Sequence, residues 1–296
     1  MLDRLLGNYL LSKGVLSRTQ LVKAYQIQES NRAKLGVIAV SEKLMTIAQA
    51  EQVNALQASM DKKFGDIAIE KGYLSEPQLG RLLELQGNSY LAFVQALVDE
   101  QYLTLEQVTN AENDYQREYS LTATDIVALK EGDIEKIVPI FLDTEDQRIR
   151  KLFSMSVKNL YRLVDAHVYI GKSYRVGSVR SEVMGYQGFH GTENAKVAIG
   201  GRYEDVQKMA IGYTKEEFIE TEEDALDAVC ELINCMNGLY ASDRTSNGTS
   251  SIELEPPEFF IDFSEAKSDF IDVLPVFICG GEVMLFISAS GEWEVQ

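Results

Sequence analysis

The sequence predicts an α+β protein in two parts. The first is an all-helical domain built on a 29-residue repeat. The second is an α/β domain whose helices pack on an antiparallel sheet. Three observations predict this. Gly7, Gly36 and Gly65 stand 29 residues apart in one recurring local pattern. Apolar residues recur at helical spacing from Leu226 to Tyr240. Short β-rich runs flank that stretch between Val168 and Ser288.

In the repeat, Leu16, Met45, Leu74 and Leu103 occupy one fixed offset. A hydroxyl residue follows each of them (Ser17, Thr46, Ser75, Thr104), and three residues later come Gln20, Gln49, Gln78 and Gln107. That is a capping box four times over, each opening a helix. The helical period continues as Leu21, Ala24 and Ile27, or Leu79, Leu82 and Leu85, and copies close on Gln28, Gln57 and Gln86. A shorter helix precedes each capped one, roughly Leu6 to Lys13 in the first copy. Gly14 and Gly72 end it as C-terminal glycines. Lys43 and Gln101 stand at the same place in copies two and four, so those turns are expected to be different or strained. Copy four also has Val94 where the others have glycine, as a degenerate terminal repeat would.

The repeats fill residues 1–118, a junction runs over 119–140, and the second domain covers 141–296. The junction is polar and broken at Gly132-Asp133. Glu145 to Val164 reads as a helix, with Ile149, Leu152, Phe153, Met155, Ser156, Leu160 and Leu163 as its apolar side. Strands are expected at Val168–Val176, Lys196–Gly200, Val206–Tyr213, Ser250–Leu254, Glu258–Phe263, Ile271–Cys279 and Val283–Ser288. Gly201-Arg202-Tyr203 would turn the second into the third, and Gly280-Gly281 would close the last pair.

Thr221 followed by Asp224 opens the central helix. Leu226, Val229, Ile233, Met236 and Tyr240 lay one apolar stripe along it. Asp227, Glu231, Asn234 and Gly238 fall together on the opposite side. A surface helix ordinarily carries polar residues there. A row of this kind, ending in glycine, could also press closely against another surface.

Composition narrows the function classes. The 296 residues carry a net charge of −18. Residues 1–116 hold 11 Lys+Arg against 14 Asp+Glu, and residues 117–296 hold 17 against 32. An acidic body repels polyanions, which argues against nucleic-acid binding. Residues 1–66 hold 9 Lys+Arg against 6 Asp+Glu, so charge does not bar a small anionic ligand there. No apolar run reaches the ~20 residues a membrane span needs, and no secretory signal is legible. A cytoplasmic protein is expected. Cys230, Cys235 and Cys279 show no close pairing and read as structural thiols, and two histidines are too few for a protein-held metal site.

The spacing Asp227, Glu231, Asn234 and, after twenty-two residues, Pro257 resembles the signature of the CheC/CheX/FliY family of chemotaxis phosphatases. The run Ile252-Glu253-Leu254-Glu255-Pro256-Pro257 is similar to the strand and turn that follow the family's helix. The resemblance implies hydrolysis of the aspartyl phosphate of a phosphorylated CheY-like receiver, in chemotaxis or another two-component pathway. It implies Asn234 as the residue that orients the attacking water and Glu231 as the partner of the receiver's active-site lysine. Asp227, Gly238 and Pro257 are supporting positions. No cofactor would be held by this chain, and Mg²⁺ would come with the receiver. In the first half of such a domain the equivalent helix would carry Leu152, Ser156 and Asn159, where the signature fails. One site resembles CheX, whose relatives are homodimers. The rival reading is a non-catalytic adaptor that binds a receiver or a flagellar component.

The repeat pattern, as in Leu6-Gly7, Gly14-Val15-Leu16 and Gln28, resembles the N-terminal domain family of the GspE/MshE secretion and pilus ATPases. Some of its members bind cyclic di-GMP through an arginine just before Leu-Gly. Here Leu5, Lys34 and Lys63 stand there instead, and lysine lacks the planar fork that grips a guanine edge. The array therefore reads as structural or partner-docking. Cyclic di-GMP binding around Lys34, Gly36, Lys63 and Gly65, making the chain a sensor, is the alternative.

Overall fold

A computed structural model describes residues 1–216, 219–246, 251–290 and 293–295. The chain divides into two compact units, Met1–Gly132 and Asp133–Gln296.

The first unit is helical. Short helices α1 (Leu2–Ser12), α3 (Leu35–Ser41), α5 (Phe64–Glu70) and α7 (Ser89–Asp99) alternate with capped helices α2 (Arg18–Ser30), α4 (Ile47–Met60), α6 (Glu76–Glu84) and α8 (Leu105–Glu118). All four capping boxes close reciprocally. In the first, Gln20 N–H donates to Ser17 Oγ at 3.3 Å and Ser17 N–H donates to Gln20 Oε1 at 2.9 Å. The others repeat this at Thr46/Gln49, Ser75/Gln78 and Thr104/Gln107. A fifth box, Thr122/Asp125, opens α9 (Ala123–Glu131). The junction segment is thus helical, and α9 packs on α1.

The turn after each short helix is the same turn in every copy. Gly14 and Gly72 sit at φ 68° and 70°, and Lys43 and Gln101 both at φ 57°. Two side-chain-bearing residues therefore occupy the left-handed region at a steric cost. The repeat glycines serve packing. A Cβ on Gly65 would lie 2.6 Å from Leu79 Cδ2, and one on Gly36 would lie 3.2 Å from Phe64 Cε2.

The second unit begins with α10 (Ile134–Phe141) and α11 (Gln147–Leu163). Strands β1 (Tyr169–Ile170), β2 (Tyr174–Gly191) and β3 (Ala195–Gly201) follow, then α12 (Tyr203–Thr214) and α13 (Glu222–Ser246). β4 (Ile252–Leu254), β5 (Glu258–Ile278), β6 (Gly281–Ser288) and β7 (Glu294–Val295) complete it. Every pairing is antiparallel. β5 pairs with both β6 and β2, and β3 joins β6 to β2, so these four strands form a closed circuit. Helices α12 and α13 pack on the sheet. Residues that alternate with those under α13, such as Met184 and Tyr186, build an apolar cluster on the other face with Ala198, Val273, Phe286 and Trp293.

Four sequence expectations are corrected. Val206–Tyr213 is helical, lying in α12. Val206, Met209 and Ala210 are buried together, and Glu204 and Asp205 favour the first turn. The expected run Val168–Val176 is only the start of β structure, since β2 continues to Gly191 through four glycines that mask its pattern. The expected strands at Glu258–Phe263 and Ile271–Cys279 are one strand, β5, bulged where Asp262 adopts φ 61°. The β5–β6 turn is centred on Cys279-Gly280, both at positive φ, with Ile278 opposite Gly281. Ser250 lies outside the described residues.

Candidate functional site

The candidate site is the outer face of α13. Its first turn is capped by Thr221, whose Oγ1 accepts from Asp224 N–H at 3.1 Å. Glu222, Glu223 and Asp224 place negative charge at the helix N-terminus. Leu226, Val229, Ile233, Met236 and Tyr240 are buried, so the apolar stripe faces the core. Asp227, Glu231 and Asn234 are exposed, successive on one face of the helix.

The sheet is shaped to receive this helix closely. Gly185 in β2 lies beneath it, and a Cβ there would stand 3.0 Å from Val229 Cγ1 and 3.4 Å from Cys230 Sγ. Cys230 Sγ donates to Glu258 O at 3.4 Å, tying α13 to β5. Burial, followed by the nearby Asp227 charge, pushes the Cys230 thiol up to about 11, so it stays protonated at neutral pH. At the far end, Tyr240 OH donates to Glu193 Oε2 at 2.7 Å and Arg244 Nε donates to Glu193 Oε1 at 2.9 Å. Tyr213 of α12 flanks the site. Burial and then the charges of Cys235 and Glu231 raise its phenol.

Asn234 is held from below by a residue that sequence reasoning missed. Gln187 of β2 is 1% exposed. Its Nε2 donates to Asn234 Oδ1 at 2.7 Å and to Glu255 O at 2.8 Å, while its Oε1 accepts from Asn237 Nδ2 at 2.9 Å. Asn237 is also 1% exposed. No linear spacing connects Gln187 to α13, and Asn237 falls between the two faces of the helical wheel. The available signal was two polar residues in apolar surroundings, which must find partners when buried.

Pro257 is exposed in the link between β4 and β5. That link is fastened to β2, since Glu255 N–H donates to Gly188 O at 3.0 Å. Glu255 lies over Gly188, where a Cβ would collide with its carboxylate. Gly238 faces open space, with nothing within 4 Å of a Cβ built on it. In α11, Leu152, Ser156 and Asn159 are all buried, so that helix offers no matching outer row.

The residues marked for a ligand in the first unit are dispersed among other duties. Lys34 Nζ donates to both Asp99 carboxylate oxygens at 2.8 and 3.0 Å. Lys63 is exposed at the start of α5, and Gly65 packs on Leu79. A cavity of about 460 Å³ takes in Gly36 with Glu51, Asn54, Gln101 and Thr104, and none of the other three. Among the described residues, no helix is long and apolar enough to cross a membrane, and no three His, Cys, Asp or Glu group as metal ligands.

Residues 183–269 match a family model described as chemotaxis phosphatase CheX. The matched span runs from β2 through α13 into β5 and contains every residue of the outer row as well as Gln187 and Pro257. No curated protein matches the chain. Among solved structures, a CheX from Desulfovibrio desulfuricans is similar at 14% identity and a TM-score of 0.42, over 48% of this chain and 98% of that one. A CheX–CheY–BeF3–Mg²⁺ complex from Borrelia burgdorferi is similar at 15% identity and 0.40, over 51% and 98%. FliY from Thermotoga maritima follows at 15% and 0.34, over 50% and 93%. By the family match across residues 183–269, the second unit carries a CheX-like domain.

Proposed function

We propose that the second unit hydrolyses the aspartyl phosphate of a CheY-like receiver domain. The observation that carries this reading is the exposed Asp227–Glu231–Asn234 row on a helix inside the CheX-matched span, with the Asn234 amide anchored from beneath. The receiver brings the Mg²⁺ that neutralises phosphate charge. A water attacks phosphorus in line with the acyl phosphate P–O bond. That bond breaks, the receiver aspartate leaves as carboxylate, and inorganic phosphate is released. Such a reaction is accelerated mostly by positioning.

Asn234 orients the water, because an amide donates and accepts without titrating. Glu231, one turn away, pairs with the receiver's lysine and sets the docking register. Asp227 extends the acidic contact. Gly238 lets the partner approach the helix without a side chain between them. The helical array of the first unit serves regulation or docking. Homodimerisation accompanies this reading.

The test is the decay of phosphorylated receiver in the presence of the full chain. Asn234→Ala is expected to remove most of the acceleration, leaving a small measurable residue, while retaining receiver binding, and Glu231→Ala to weaken both. An Asn234→Ala protein that works at the wild-type rate removes the water-positioning role.

A further inference from the structure

We infer that Gln187 is a positioning residue for the reaction, fixing which way round the Asn234 amide is presented. The inference rests on the phosphatase reading of the α13 face. The orientation follows from one unambiguous acceptor. The Glu255 oxygen is a backbone carbonyl and can only accept, so the Gln187 group 2.8 Å from it is the NH₂. The second hydrogen of that NH₂ points to Asn234, 2.7 Å away, which must therefore turn its Oδ1 inward. The other end of Gln187 is then Oε1, and Asn237 Nδ2 donates to it at 2.9 Å. Each link fixes the next: carbonyl, glutamine, asparagine. Asn234 is left with Nδ2 and one Oδ1 lone pair for a water.

The relay gives the proline a reason to stand where it does. Glu255 precedes Pro256, and the residue before a proline is confined to extended backbone. A second proline, Pro257, confines Pro256 in turn. The stiffened link is fastened to β2 by Glu255 N–H on Gly188 O at 3.0 Å. The carbonyl that orients Gln187 is thereby held. Asn234 and the Glu255-Pro256-Pro257 link are joined through Gln187, which bonds Asn234 at one hydrogen and the Glu255 carbonyl at the other.

Gln187 and Asn237 are each 1% exposed, so neither touches a docked receiver through this face. Their influence passes through Asn234 alone, and a double-mutant cycle reads it. Gln187→Met keeps the volume and removes the donors. It is expected to lower kcat on the phosphorylated receiver on the order of 10- to 100-fold, the scale of a small misplacement. KM stays within about twofold, since the outer face keeps its shape. In an Asn234→Ala background the same substitution is expected to change kcat by less than about twofold. Equal losses in both backgrounds would mean a general packing role and overturn the inference.

A second measurement needs neither the variant nor activity. With asparagine side chains labelled with ¹⁵N in the wild-type full chain, the Asn234 amide should be as rigid on the fast timescale as the backbone of α13. An amide as mobile as an ordinary exposed asparagine overturns the relay. If no receiver is hydrolysed by wild-type protein, the phosphatase reading falls, and a rigid or mobile Asn234 amide still decides the relay by itself.

Discussion

Gln187 Nε2 lies 2.7 Å from Asn234 Oδ1, so a buried strand residue grips an exposed side chain of α13. An exposed asparagine on a helix ordinarily samples several rotamers in solvent. This one is restrained before any partner arrives, and restraint of that kind removes an ordering cost at the moment of reaction.

The open space over Gly238 gives a prediction in which stability and function part. Glycine inside a helix is about 1 kcal/mol less favourable than alanine. No atom lies within 4 Å of a Cβ built there. Gly238→Ala should therefore raise Tm. It should also raise KM for the phosphorylated receiver, because the new methyl stands on the proposed docking face. Thermal unfolding and steady-state kinetics on one variant check both halves.

Gly185 should behave oppositely. A Cβ there meets Val229 Cγ1 at 3.0 Å and Cys230 Sγ at 3.4 Å. Gly185→Ala is expected to destabilise the second unit by about 1–3 kcal/mol, the usual range for an overpacked contact. Denaturant unfolding monitored by circular dichroism measures it.

The strained repeat turns offer a gain. Lys43 and Gln101 hold φ 57° where Gly14 and Gly72 hold 68° and 70°. A left-handed residue with a Cβ costs roughly 1–2 kcal/mol, and glycine gives back part of that in chain entropy. Lys43→Gly and Gln101→Gly should each stabilise the first unit by about 0.5–1 kcal/mol. Gly72→Ala should cost about as much. Tm values of the three variants test the shared turn directly.

Alkaline pH should loosen the fold through its thiols. Burial pushes Cys230 from the ordinary value near 9 to about 11, and burial with the Asp165 charge does the same for Cys279. Between those values the unfolded chain has lost protons that the folded chain still holds. The unfolded state then binds fewer protons, so stability falls as pH rises from about 9 to 11. Cys230→Ala should flatten part of that slope in a series of urea titrations.

Much of this architecture is legible in the sequence, and the reasons are physical. The capping boxes are local, so Ser17/Gln20 and its three relatives are visible in a short window and form as expected. The α13 stripe is legible because a single helical period runs from Leu226 to Tyr240. α12 reads as a strand in sequence because Val206 and Tyr213 are β-prone, and burial against the sheet and α13 overrides that preference. The full length of β2 was obscured by Gly177, Gly185, Gly188 and Gly191. At Gly185 and Gly188 the glycine makes room for α13 and for Glu255. Gln187 was illegible for a different reason. Its three partners lie 47, 50 and 68 residues away, and only the folded sheet brings them together.

The proposed role of the α13 face is to dephosphorylate a receiver. The most direct measurement is the decay of phosphorylated CheY-like receivers with wild-type protein and with a Glu231→Ala, Asn234→Ala double variant. Accelerated decay of at least one receiver is expected with the wild type, and decay at the receiver's own rate with the double variant. Equal acceleration by both proteins, or none by the wild type on any receiver tried, would contradict it.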